Sequence, residues 1–153
     1  MSGNDLDDTV PPALVVPHTE ARLGDGLHDA LAQFALTPRQ YRFSIGGVVH
    51  HLDAVCLIGR KPAGPRIATG AAPRLVRVDS PTHEVSGSHL ELRQVGSSVV
   101  ATDLQSTNGS VVSVPGSAPI TLLRGASMVV SPGTLIDIGD GNVIEILPLQ
   151  RLG

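Results

Sequence analysis

The sequence predicts an all-β fold, an antiparallel sandwich of about eleven short strands. From Tyr41 onward, short runs rich in Val, Ile and Leu alternate with turns rich in Gly, Pro, Ser and Asn. Helical segments, which parallel strand crossovers usually contain, do not recur between these runs. A chain of 153 residues with 41% hydrophobic content is sufficient for one core of ordinary size. We therefore expect a single folded domain.

The beginning of the chain differs from the rest in composition. Residues 1–30 contain six acidic residues and one basic residue, a net charge of −5, and show no sustained periodicity. Segment 1–38 is therefore predicted to be an acidic, flexible tail. Apolar residues recur at helical spacing from Leu27 to Leu36, which adds a short helix to the prediction. Residues 39–153 are the predicted sandwich domain.

The first hairpin is the clearest local signal for strands. YRFSI and VVHHL flank Gly46-Gly47, a pair typical of two-residue hairpin turns. The other candidate strands, in chain order, are AVCLI, RLVRV, HLELR, SVVATD, SVVSV, ITLL, SMVV, TLIDI and VIEIL. Functional residues are expected in the connections KPAGPRIATGAAP, DSPTHEVSGS and QSTNGS.

Composition argues against several classes of function. Aromatic residues make up only 2% of the chain, which leaves few stacking platforms for nucleic-acid bases. Residues 31–153 hold ten basic and eight acidic residues, a surplus that suits a local anionic ligand better than nucleic acid. A lone cysteine and an acidic start without a secretory signal predict a cytoplasmic location. No apolar run reaches the ~18 residues of a membrane span, so we expect no membrane partner.

The histidines do not form a metal-binding pattern. His50 and His51 are neighbours in a predicted strand, so their side chains are expected on opposite faces. The other histidines outside EVSGSHLELR have no partners at the spacing of metal ligands. We therefore expect no metal and no cofactor.

The stretch EVSGSHLELR raises the possibility of a serine hydrolase. Ser86 or Ser88 would be the nucleophile and His89 the base, and Asp103 would orient the imidazole. However, no strand-turn-helix elbow surrounds either serine, and no oxyanion loop is identifiable. The sequence therefore favours a protein without catalytic residues.

Three connections favour binding of a phosphate group instead. Arg60 directly follows a strand, Ser86 lies in the turn before the next, and Thr107-Asn108 lie in a turn that contains glycine. If these turns meet at one end of the sandwich, a guanidinium, hydroxyls and backbone N–H groups converge there. A phosphoryl group, with its negative charge and three acceptor oxygens, requires such donors.

Three short motifs occur in order within the segment that is predicted to be all β. They are Gly59-Arg60, Ser86-x-x-His89 and Thr107-Asn108-Gly109. In this respect the chain resembles the forkhead-associated (FHA) family, over residues 41–149. The resemblance implies an eleven-stranded β-sandwich whose loops at one end bind phosphothreonine peptides. The implied partner is a protein phosphorylated by a Ser/Thr protein kinase.

The resemblance also implies roles for individual residues. The phosphothreonine-peptide site would consist of Arg60, Ser86, Thr107 and Asn108, and its loops would be supported by Gly59, His89 and Gly109. Arg60 and Ser86 would bind the phosphate with help from Thr107. Asn108 would hold the peptide backbone, and His89 would be a buttress rather than a base.

Two features depart from the family pattern. Family members often carry Arg or Asn, which helps to hold the ligand, at the position of Gly87. The connection from Arg60 to Ser86 is also long, and we interpret it as an insertion. Alternatively, Arg66 and Arg74 within it extend the basic surface.

Two further hypotheses concern the tail and the mode of binding. Thr9, in NDLDDTVPP, follows acidic residues as the phosphorylation sites in tails of some bacterial FHA adaptors do. Thr9 is therefore a candidate phosphorylation site that the domain itself would capture, although a purely solvating tail remains the alternative. For the domain, the alternative function is an FHA-like module that binds its partner without phosphate.

Overall fold

A computed structural model of the chain describes residues 39–67 and 70–149. The tail predicted at 1–38, its short helix and Thr9 lie outside these residues. The strands are β1 (Arg42–Ile45), β2 (Val48–His51), β3 (Cys56–Gly59), β4 (Arg74–Arg77), β5 (Leu90–Val95), β6 (Ser98–Asp103), β7 (Ser110–Ser113), β8 (Ile120–Leu122), β9 (Ser127–Val130), β10 (Leu135–Gly139) and β11 (Asn142–Leu147). Each candidate strand of the sequence is therefore confirmed.

The strands form two sheets. One has six strands in the order β2-β1-β11-β10-β7-β8, and the other has five in the order β4-β3-β5-β6-β9. The eleven-stranded sandwich is thus confirmed, with one departure from purely antiparallel pairing. Strands β3 and β4 run parallel, with Cys56 opposite Arg74. The connection between them is long enough to return the chain without a helix, and its described residues contain none.

Inward-facing side chains of both sheets form the core. Strand β6 shows the alternation expected of a sheet with one buried face, since Val99, Ala101 and Asp103 are buried and the residues between them are half-buried. Fully buried aliphatic side chains include Ile58, Leu90, Leu92, Ile136, Ile144 and Ile146. Each such side chain stabilises the fold by about 1.5–3 kcal/mol relative to an exposed position.

Glycines close the first hairpin as predicted. Gly46 and Gly47 have φ angles of 58° and 79°, the left-handed conformation that a two-residue hairpin turn of this kind requires.

No helix within 39–67 and 70–149 has the length and apolar character needed to cross a bilayer.

Candidate functional site

Arg60 extends from the end of β3 toward the connection between β4 and β5. Its backbone N–H donates to the carbonyl of Ser86 at 3.0 Å, and Lys61 N–H donates to the carbonyl of Gly87 at 2.9 Å. The Nε–H of Arg60 donates to the carbonyl of Val85 at 3.2 Å. A guanidinium has five N–H donors, and this bond occupies one. The half-buried Arg60 is therefore held in place with donors to spare.

Gly59 allows these two segments to approach each other. A Cβ atom at Gly59 would lie 2.1 Å from the carbonyl oxygen of Gly87 and 2.9 Å from that of Ser86. Only glycine fits at such a distance. At Gly87, by contrast, the nearest atom to a Cβ would be the Lys61 carbonyl oxygen at 3.8 Å, so a side chain there has room.

Ser86 and Thr107 join the β4–β5 and β6–β7 connections. The backbone N–H of Thr107 donates to Ser86 Oγ at 2.9 Å, and the two hydroxyl oxygens lie 3.5 Å apart. Thr107 is exposed and Ser86 is half-buried. The structure thus brings two hydroxyl groups, far apart in sequence, to one surface.

His89 lies fully buried beneath these hydroxyls. Its Nδ1 accepts a hydrogen bond from Ser86 N–H at 3.0 Å, and its Nε2 lies 2.9 Å from the carbonyl of Gly109. An acceptor at Nδ1 and a donor at Nε2 together define the neutral imidazole with its proton on Nε2. Burial lowers the pKa of His89, although the Gly109 bond and the Asp103 charge oppose this shift. His89 therefore links both connections as an uncharged group.

This geometry differs from that of a catalytic triad. Ser88 Oγ accepts a hydrogen bond from Ala63 N–H at 3.2 Å, and Ser86 Oγ accepts one from Thr107 N–H. Both nitrogens of the His89 imidazole are occupied by backbone groups. Neither serine is therefore activated by the imidazole, as a nucleophile would need to be.

Asp103 organises the β6–β7 connection from inside. This carboxylate is 1% exposed, and it accepts hydrogen bonds from Ser106 N–H at 2.8 Å, Ser106 Oγ at 2.6 Å and Ser110 Oγ at 3.2 Å. Ser106 Oγ in turn accepts from Gly109 N–H at 2.9 Å. The sequence analysis missed Ser106, although a serine three residues after an aspartate is a local signal for this kind of turn.

Asn108 lies at the exposed tip of that connection. Its Nδ2 donates to the carbonyl of Glu84 at 3.0 Å, which leaves a second N–H and the Oδ1 atom with capacity for a peptide backbone. Gly109 follows with φ 73°, and a Cβ there would lie 3.2 Å from the carbonyl oxygen of Leu122. Both conditions favour glycine at this turn.

A second interaction missed by the sequence analysis fixes the β4–β5 connection from the opposite sheet. The carboxylate of Asp140, in the β10–β11 turn, accepts hydrogen bonds from the hydroxyls of Ser80 and Thr82 and from Glu84 N–H. The Asp140 N–H donates to Glu84 Oε1 at 2.6 Å. The hydroxyl donors lower the pKa of Asp140. No periodic pattern relates residues so distant in sequence, so only the fold reveals this contact.

The four proposed ligand-binding residues therefore converge, namely Arg60, Ser86, Thr107 and Asn108. The three supporting residues, Gly59, His89 and Gly109, lie directly behind them.

Within the described ranges, the structure contains no cluster of His, Cys, Asp and Glu suited to a metal ion. Arg74, an alternative contributor to the basic surface, instead pairs with Asp53 at 2.8 Å.

No family model matches the sequence, and no curated protein matches it. Solved structures do match the fold. The FHA domain of human APLF, in complex with an XRCC1 bisphospho peptide, has a TM-score of 0.54 at 18% identity, covering 72% of this chain and 99% of the other. The FHA domain of the CT664 protein from Chlamydia trachomatis has a TM-score of 0.52 at 18% identity, with coverage of 72% and 99%.

A third structure comes from a structural and functional analysis of phosphothreonine-dependent FHA domain interactions. It has a TM-score of 0.50 at 24% identity and covers 73% of this chain and 99% of its own. All three structures are covered almost completely, so the likeness extends over a whole domain. At these identities it establishes the fold.

Proposed function

We propose that this chain, which has the fold of the FHA domains, is a non-catalytic module that binds phosphothreonine peptides. The observation that carries the proposal is the convergence of Arg60, Ser86 and Thr107 from three separate connections. Backbone and hydroxyl hydrogen bonds of 2.9–3.0 Å hold them together. Among the similar structures, one belongs to a study of phosphothreonine-dependent FHA interactions and another contains a bisphospho peptide.

The chemistry of the three side chains suits a phosphoryl group. At neutral pH such a group carries about −1.5 to −2 charges and three acceptor oxygens. Arg60 supplies a positive charge with several donors, and Ser86 and Thr107 supply hydroxyls whose protons rotate to suit a ligand. The exposed carboxamide of Asn108 would bind the peptide backbone beside the phosphothreonine.

The supporting residues act through geometry rather than chemistry. His89 is neutral and occupied on both nitrogens, so it fixes the positions of Ser86 and Gly109 and has no free nitrogen for proton transfer. Gly59 allows the close approach that aligns Arg60 with Ser86. The hydrogen-bonded His89 and the close approach at Gly59 are both consistent with a module that binds a ligand without catalysis.

The wider setting of the proposal depends on the resemblance and on the sequence. The partner would be a protein phosphorylated by a Ser/Thr kinase in the cytoplasm, in bacterial Ser/Thr kinase signalling. The chain would comprise a tail at 1–38 and the domain at 39–153, and phosphorylated Thr9 would be an intramolecular ligand. The alternative is an FHA-like domain that binds without phosphate, and no feature of the site favours it.

The test is calorimetric titration of the protein with matched phosphothreonine and threonine peptides, selected from a degenerate phosphothreonine library. Only the phosphorylated form should bind. Arg60→Ala should weaken binding about 10- to 100-fold, because a hydrogen bond to a charged group contributes about 1.5–3 kcal/mol. Arg93→Ala is the matched control, since Arg93 pairs with Glu91 at 2.9 Å in the five-stranded sheet. Equal binding of the two peptides, or full affinity in Arg60→Ala, would contradict the proposal.

A further inference from the structure

An open groove borders the proposed phosphate site on the side of Asn108. Its volume is about 340 Å³, and it is lined by Glu84, by Asn108 and Gly109 with Val111, and by residues 137–139. Arg60, Ser86 and Thr107 are not part of its lining. A peptide held by Asn108 would therefore extend beyond the phosphate-binding residues into a second, separate space.

The groove carries negative charge from two carboxylates, which belong to Glu84 and Asp137. Glu84 Oε1 accepts a hydrogen bond from Asp140 N–H at 2.6 Å, and Asp137 Oδ1 accepts one from Gly139 N–H at 2.9 Å. These donors are neutral backbone groups. Within residues 39–67 and 70–149 neither carboxylate forms an ion pair. Both side chains are exposed, so their charges remain available to a ligand.

An apolar wall accompanies these charges. Val111 lines the groove and is 44% exposed, so its side chain is accessible to a ligand. Lysine and arginine side chains combine a long aliphatic stem with a cationic head. A wall of valine beside carboxylates is complementary to both parts of such a side chain.

The proposed phosphate site is positively charged, the groove is negatively charged, and the two share the β4–β5 connection. Arg60 donates to the carbonyl of Val85, whereas Asn108 donates to the carbonyl of the preceding residue, Glu84. The Arg60 guanidinium and the Asn108 carboxamide that lines the groove are therefore held by neighbouring residues of the β4–β5 connection. An extended ligand would present a dianionic phosphate to one and its neighbouring side chains to the other.

We propose that this groove binds a lysine or arginine side chain of the same phosphothreonine peptide, so that the domain selects partners with a basic residue near the phosphothreonine. The proposal rests on the proposed function and adds a preference to it. An acidic side chain at the same peptide position is repelled by Glu84 and Asp137, so the groove also discriminates against acidic partners.

The experiment uses the full chain and a set of phosphothreonine peptides in an alanine-rich neutral background. Arginine, and separately glutamate, replaces alanine at each flanking position in turn. At one position arginine should tighten binding about 2- to 10-fold relative to alanine, the range of one or two exposed ion pairs. Glutamate should weaken binding there, and added salt should reduce both effects.

Variants then assign the preference to the groove. Glu84→Gln retains an oxygen for the Asp140 N–H, and Asp137→Asn retains one for the Gly139 N–H. The readout is the ratio of Kd values for the alanine and arginine peptides in each variant. This ratio should fall to about one in the combined variant, which carries both Glu84→Gln and Asp137→Asn. The ratio should persist in the control Glu91→Gln, because the Glu91 carboxylate pairs with Arg93 in the five-stranded sheet and does not line the groove.

The possible failures are distinguishable. If arginine gives no advantage at any position, or if its advantage survives in the combined variant, the groove does not select basic side chains. If the neutral phosphopeptide itself does not bind the unmodified protein, the proposed function is wrong and this inference falls with it.

Discussion

The backbone N–H of Ser86 donates a hydrogen bond to Nδ1 of the buried His89 at 3.0 Å. Since Nε2 faces the carbonyl of Gly109 at 2.9 Å, one imidazole holds two connections together. Only the neutral ring with its proton on Nε2 makes both bonds. The shape of the proposed phosphate site therefore depends on an uncharged histidine.

The first prediction concerns removal of that ring. His89→Ala should lower the free energy of unfolding by at least about 1–3 kcal/mol, because it leaves buried polar partners unsatisfied and creates a cavity. Phosphopeptide binding should weaken as a consequence. Urea denaturation measures the change, and His51→Ala, at an exposed position of β2, is the control. If stability is unchanged while binding is lost, His89 contacts the ligand directly.

The second prediction concerns pH. Burial lowers the pKa of His89, and burial together with Arg74 lowers that of His50. Unfolded histidine has a pKa of about 6.5, so below that pH the unfolded chain binds more protons than the folded one. Stability should therefore be constant between about pH 6.5 and 8 and should fall as the pH drops from 6.5 toward the folded-state pKa values.

Urea denaturation as a function of pH measures this profile. In His50→Asn, the loss of stability that remains near and below pH 6.5 belongs to His89. Asp140 affects stability in a separate, more acidic range. Its pKa is lowered in the fold, so its contribution to stability is complete above the pKa of an unfolded aspartate and is lost as the pH falls below that value. A stability that is flat or rises as the pH falls below 6.5 would contradict the neutral buttress.

The third prediction contrasts two glycines on facing segments. Gly87→Asn should be tolerated, since a Cβ there has 3.8 Å to its nearest neighbour, and should tighten phosphopeptide binding about 2- to 10-fold by adding one neutral hydrogen bond. Gly59→Ala should destabilise the fold by about 1–3 kcal/mol or more, because its Cβ would overlap the Gly87 carbonyl. Thermal unfolding and calorimetry measure both effects. If Gly87→Asn leaves affinity unchanged, this position does not face the ligand.

The fourth prediction concerns Asp140, whose hydrogen bonds go to Ser80, Thr82 and Glu84 rather than to the proposed phosphate-binding side chains. Its hydrogen bonds fix the β4–β5 connection, whose carbonyls at Glu84 and Val85 hold Asn108 and Arg60. Asp140→Gly, which accepts the positive φ of 51° at this position, should therefore weaken phosphopeptide binding several-fold.

Two variants separate positioning from general destabilisation. Asp140→Asn keeps oxygen and N–H groups near Ser80 and Thr82 and should restore most of the affinity. Asp79→Ala removes an exposed carboxylate from the same connection but keeps the carbonyl that Asn142 uses, so it should bind normally. If Asp140→Gly binds as well as the unmodified protein, the contact has no effect on the site.

These contacts also show what sequence patterns predict. The strands follow from the alternation of apolar residues, and the first hairpin follows from Gly46-Gly47, because both signals are local. The bonds between Asp103 and Ser106 are local too, and their spacing was a readable signal. Asp140 and Ser80 are 60 residues apart, and their contact requires two connections of different sheets to meet. The parallel pairing of β3 and β4 likewise depends on the path of a connection without regular structure.

The last prediction concerns phosphorylation of Thr9. If the domain captures its own phosphorylated tail, binding of external phosphopeptides should fall sharply. For linked partners the effective concentration is about millimolar, so a site with a Kd of ~10 μM would be ~99% occupied by the tail. No basic residue precedes Arg22, so the tail offers no partner near Thr9 for Glu84 and Asp137. A phosphopeptide with a well-placed arginine should therefore compete better than a neutral one.

The measurement compares the affinity for one external phosphopeptide before and after stoichiometric phosphorylation of Thr9. Thr9→Val, treated with the same kinase, is the matched control and should keep full affinity. In Arg60→Ala the phosphorylated tail should also be released, which makes Thr9 accessible to a phosphatase. If phosphorylation leaves the affinity of the unmodified domain unchanged, or if a Ser/Thr kinase does not modify Thr9, the tail is not a ligand of its own domain.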